Sequence, residues 1–77
     1  METKIKLNPG EKLKQESHRT KGPLAETDIW IYAVVDADGN TIGSVTHKDH
    51  TSIKGLHRSQ SVEQRDSSGK IIVYVSW

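Results

Sequence analysis

Cysteine is absent from this 77-residue chain. Disulfides and thiolate zinc sites are thereby excluded, and only histidines and carboxylates are left to hold a metal. An apolar run long enough to span a membrane is also missing. Residues 1–23 are charged and contain no apolar h-region, so no secretory signal is visible. The expected setting is the cytoplasm, with no membrane partner. Internal repeats, low-complexity tracts and an amphipathic helix with a broad apolar stripe are lacking as well. No strained elbow surrounds any serine, which removes the nucleophilic-serine reading. A chain this short forms one domain at most. It buries only roughly 60 % of the surface its unfolded state exposes, so its core is small and self-association is the staple still available.

What is present is unevenly arranged. The formal net charge is +1, yet Lys4, Lys6, Lys12, Lys14, Arg19 and Lys21 crowd into residues 1–23. Residues 24–46 hold only the acids Glu26, Asp28, Asp36 and Asp38. Positive charge returns over residues 47–70 through Lys48, Lys54, Arg58, Arg65 and Lys70. Such asymmetry points towards an anionic partner for the basic parts.

Two segments read as strands from their β-branched and aromatic content, DIWIYAVV (28–35) and KIIVYVSW (70–77). Both carry apolar residues on both faces, which predicts central strands covered on two sides. Each has a more polar partner across a turn. DADGN (36–40) joins the first to TIGSVTH (41–47), and DSSGK (66–70) joins SQSVEQR (59–65) to the second. The expected fold class is mainly β: two consecutive antiparallel hairpins in one small sheet over residues 24–77. A polar basic arm, partly disordered, occupies 1–23. TKIKL (3–7) is a candidate edge strand, and an α+β arrangement is the fallback if 11–21 or 48–57 is helical. A sheet of this size cannot cover both of its faces. Either the N-terminal third folds over one, or a second copy does, and the homodimer is the expectation.

The histidines invite sharper readings. Asp36, Asp38 and Asn40 fall at the first, third and fifth ligand positions of a calcium loop. The sixth position is Thr41 and the twelfth His47, where glycine and glutamate are needed, so the hairpin turn is favoured. His18-Arg19-Thr20 and His50-Thr51-Ser52 repeat the H-x-[ST] tripeptide of two-histidine phosphoesterases, but nothing in the sequence positions His18 for proton transfer. His47, His50 and His57 are a candidate zinc set whose spacing matches no metal motif. No catalytic residue and no cofactor are expected.

The stretch HKDHTSIKGLHR (47–58) holds three of the four histidines with Lys48, Lys54 and Arg58. It reads as a basic surface loop suited to phosphate-backbone contacts. Arg65 and, from the arm, Lys12, Lys14, Arg19 and Lys21 extend that candidate surface for nucleic acid or another anionic partner. The competing surface is apolar: Trp30, Tyr32, Tyr74 and Trp77 are candidate protein contacts. The function expected is a small non-catalytic binding or regulatory module acting through protein–protein interaction. Nucleic-acid binding is the alternative, and a His-based metal or phosphoester site comes third.

Overall fold

A computed structural model describes residues 4–22, 25–52 and 57–77. They form five strands: β1 (Lys12–Lys21), β2 (Ala25–Val35), β3 (Thr41–Ser52), β4 (His57–Asp66) and β5 (Ile71–Ser76). All pairings are antiparallel, and the strands lie in the sheet in chain order. The protein is therefore mainly β. Among the described residues no helix is long and apolar enough to cross a membrane.

The two hairpin turns behave as their sequences predict. In 36–40 the Asp36 carboxylate accepts from the amides of Asp38 and Asn40, both at 2.9 Å, and Gly39 takes φ +86°. In 66–70 the Asp66 carboxylate accepts from the amides of Ser68 and Lys70 at 2.9 and 3.0 Å, and Gly69 takes φ +87°. An aspartate that bonds its own backbone, followed by a glycine with positive φ, makes the same turn twice. The carboxylate of Asp36 is thus spent on the chain, as the turn reading of that segment requires.

Register assigns each strand residue to a face. Leu13, Tyr32, Val34, Val45, Val62 and Gln64 share one side, where Val34, Val45 and Val62 form the buried core. Ile5 and Leu7 pack onto that core from the N-terminal segment. Buried Gln64 ties the segment down. Its carbonyl accepts from the Lys6 amide, and its side-chain amide donates to the Lys6 carbonyl, both at 2.8 Å. Residues 4–8 thus act as a strap over what becomes the covered face. The other face has no such cover among the described residues.

Several expectations are corrected here. Residues 12–21 are an edge strand, β1, and not a disordered arm or helical piece; residues 4–7, expected as an edge strand, form the strap. The segment 47–58 is not a surface loop. His47–Ser52 complete β3 and His57–Arg58 open β4, while residues 53–56, with Lys54, lie outside the described residues. Residues 70–77 are not central, because β5 is the other edge of the sheet.

Candidate functional site

The covered face carries a ladder of rings. His18 and Trp30 stack with centroids 4.8 Å apart and planes 2° from parallel. Trp30 and His47 follow at 5.0 Å, then His47 and Trp77 at 5.9 Å. The first two spacings match the roughly 4.7–4.9 Å between neighbouring strands, so adjacent strands deliver one ring each. The Lys4 ammonium closes the row 4.5 Å from the Trp77 centroid. Because the rings stack on one another, both faces of Trp30 and His47 are occupied and are not free to receive a base or a sugar. Trp30 is consumed by this ladder, and Tyr32 packs against the core. Of the four aromatics expected at a protein interface, Tyr74 and Trp77 remain accessible, at 65 % and 41 % exposure.

The polar ends of the ladder are also engaged. Asp28 accepts from the Thr20 hydroxyl at 2.6 Å and lies 3.2 Å from His18 Nε2. The Thr20 bond, aided by His18, holds this carboxyl below its ordinary pKa. His47 Nε2 lies 3.0 Å from the Gln60 side-chain oxygen. Arg58 makes a forked contact with Asp49, Nε at 3.0 Å and Nη2 at 2.5 Å, which lowers the aspartate's pKa and raises its own. Arg58 therefore spends its charge within the sheet.

The histidine readings fail on register. His47 faces the ladder, whereas His50, three residues along β3, faces the opposite side, where Thr27 Oγ1 lies 2.6 Å from its Nδ1. His47, His50 and His57 cannot converge on one ion across a sheet. Among the described residues no group of three metal-ligating side chains comes together. The two H-x-[ST] motifs are separated in the same way, with His18 on the covered face and His50 on the open one.

The basic residues do gather, though not in a loop. Lys12, Lys14, Arg19 and Lys21 on β1, Lys48 on β3 and Arg65 on β4 all project from the open face. They surround Ile29, Ile31, Ala33 and Val35, with Ser44, Thr46, Ser59 and Ser61 alongside. Glu63 is an acid on that face, and it is engaged by Arg65 at 3.0 Å.

A second surface contains Tyr74 and Trp77, which the sequence nominated, together with Ile71 and Ile72, which it did not. Among the described residues, every large hydrophobic with substantial exposure belongs to β5 or directly follows it: Ile71 (47 %), Ile72 (40 %), Tyr74 and Trp77. Both edges carry a bulge, β1 between Gln15 and Ser17 and β5 at Ile72, but β5 has no charged residue, whereas β1 at the far edge has Lys12, Lys14, Arg19 and Lys21. Gln60 and Trp77 exchange both main-chain hydrogen bonds, at 2.8 and 2.9 Å. Bonded and non-bonded pairs alternate along an antiparallel ladder. Counting back from Trp77, Val75 and Val73 bond to β4, while the N–H and C=O groups of Ser76 and Tyr74 point away from the sheet. The signal was in the sequence as apolar residues on both faces of 70–77.

A cleft of about 270 Å³ lies beside the strap, walled by Lys6, Glu11, Val34, Ile42, Asp66 and Ile72. Gln64 in its wall spends its amide on Lys6, and no buried side-chain polar atom among the described residues lacks a partner. Nothing there awaits a ligand. No family model, curated protein or solved structure matches this chain in the comparisons made with each.

Proposed function

We propose that this chain is a small, non-catalytic binding module acting through protein–protein interaction, with β5 as the edge to which a partner adds a strand. One observation carries the reading: among the described residues the exposed large hydrophobics are concentrated on or directly after a single uncharged edge strand, whose outward main-chain groups at Tyr74 and Ser76 have no partner there. Strand addition takes affinity from main-chain hydrogen bonds and specificity from alternate side chains. An apolar, uncharged edge is a template for pairing, whereas four basic residues blunt β1. The test pairs two observations. A bound partner protects the Tyr74 and Ser76 amides from hydrogen exchange, and Tyr74→Lys abolishes its binding. Binding that leaves both amides unprotected overturns the reading.

The open basic face favours a second reading, nucleic-acid binding. Lys12, Lys14, Arg19, Lys21 and Lys48 share one surface with many hydroxyls, a composition suited to phosphate contacts. Each phosphate neutralised on duplex DNA contributes a slope of roughly −0.9 in log affinity against log salt. Arg19→Ala with Lys48→Ala then reduces the slope by about two if both touch phosphate. No binding of generic duplex or single-stranded oligonucleotide at ~100 μM protein in low salt removes this reading.

A further inference from the structure

We propose that the strand added at β5 is the β5 of a second copy, antiparallel across a twofold axis at Tyr74, giving a continuous ten-stranded sheet. This rests on the reading of β5 as a strand-addition edge and names its occupant.

Three features point to a copy of the same chain. The first is charge. A twofold axis sets like residues close together, and like charges facing across strands are destabilising. Residues Ile71–Ser76 have none to repel. On β1 the same operation would bring Lys12, Lys14, Arg19 and Lys21 towards their own copies.

The second is register. Residues opposite each other in an antiparallel pair lie on the same face, so a twofold axis relating two β5 strands must pass beside a residue, not between two. Tyr74 has its N–H and C=O both directed outwards and sits near the middle of the strand. Two copies can exchange both bonds at Tyr74, with Cα atoms about 5.5 Å apart. Ser76, whose outer groups have the same orientation, then faces the bulge at Ile72 of the other copy, so the regular pairing runs from Val73 to Val75 around the axis. The two Tyr74 rings lie side by side on the open face, continuing the row Ile31, Thr46, Glu63 and Tyr74.

The third is closure. Pairing β5 with β5 consumes the apolar edge in one step, because an isologous contact closes. The outer edges of the dimer are then the two lysine-bearing β1 strands, which resist further addition. The surface left over is consistent with this: the single chain exposes 5407 Å², against about 4,700 Å² expected for a compact monomer of this mass.

The experiment is sedimentation equilibrium of the full chain from micromolar to millimolar concentration, with two variants and two peptides. The wild type is expected to reach twice the 8.6 kDa chain mass. Tyr74→Pro removes the exposed ring and an outward-pointing N–H but no ladder bond to β4, a change tolerated on an edge strand, and should revert to the monomer mass with its β-sheet circular dichroism intact. Tyr74→Lys keeps the N–H, places like charges at the axis, and should do the same. Fluorescent peptides of residues 70–77 and of an unrelated alternating Thr/Val sequence of equal length probe the edge by itself. A monomeric wild type that still binds the Thr/Val peptide, with binding lost in Tyr74→Lys, overturns self-pairing and leaves strand addition standing. A monomer that binds neither peptide overturns both. A dimer unchanged in both variants overturns the β5 interface.

Discussion

Gly43 is a glycine because β4 leaves no room beside it. A Cβ built there would lie 2.5 Å from the Arg65 carbonyl oxygen, a backbone atom that a side-chain rotation cannot move. Gly43→Ala must push β3 and β4 apart next to the buried valines. Overpacking of this kind costs about 1–3 kcal/mol, and the expected result is a lower Tm at neutral pH. An unchanged thermal melt would show that the two strands tolerate the extra methyl. The turn aspartates make a different kind of contribution, dependent on pH. Backbone and side-chain donors around Asp36, led by Asn40, hold its carboxyl below the ordinary 3.8, and the Ser68 side chain leads the same effect on Asp66. A folded-state pKa below the unfolded one stabilises the protein above pH 3.8; that stability disappears as pH falls through the folded value. Thermal melts should therefore drop in the range below pH 3.8. Asp36→Asn with Asp66→Asn should flatten that acid limb while starting from a lower Tm at pH 7. An acid limb of unchanged steepness would assign the titration to other carboxylates.

Among the elements, the inner strands and both hairpins were legible, because DADGN and DSSGK state their turns in full and the valine-rich strands beside them are strongly β-forming. Strand β1 was not. KLKQESHRTK has a single large apolar residue, Leu13, since an edge strand with one face open needs little more, and its charges read as an arm. The ends of β3 and β4 were lost for a related reason. HKDHTS and HR run beyond the valine core, so they are polar and resemble a loop, although their backbones pair throughout. Strand β5 was assigned the wrong place by a sound rule. Apolar residues on both faces predict two-sided burial, yet at this edge Ile71, Ile72 and Tyr74 stay exposed. The ring ladder was illegible because its members are far apart in sequence and register alone brings them into line. If lysines are what close the β1 edge, Lys12→Thr with Lys14→Thr should open it. Each subunit would then present a second receptive edge, and head-to-tail contacts of that kind do not close. Light scattering is expected to show species growing in mass with concentration. A variant with the wild-type mass distribution would locate the protection of β1 in its bulge.

At the scale of the molecule, a net charge of +1 conceals a division of labour between two faces. The covered face holds the valine core, the ring ladder, the strap and the acids Asp28 and Asp49, each with its partner. The open face holds Lys12, Lys14, Arg19, Lys21, Lys48 and Arg65 with the half-buried Ile29 and Ile31. The strap has a further meaning when the chain is considered as it folds. Every strand pairs with its neighbour in sequence, so the sheet can grow by successive short loop closures, a topology that favours fast folding. The bond between Lys6 and Gln64 spans 58 residues and rewards a long closure only once β4 is in place. It belongs to the end of the folding reaction, and its effect should fall on the rate of escape from the native state. Gln64→Leu replaces the amide with an apolar side chain of similar size and strands both Lys6 groups, a loss of about 1–2 kcal/mol, or a factor of about 5–30 in equilibrium. Stopped-flow chevrons should place nearly all of that factor on the unfolding limb and leave refolding within about twofold. A slowed refolding limb instead would make the strap part of the nucleus. With late closure, the sheet forms first and the N-terminal residues act as a latch that sets how long the native molecule survives between openings.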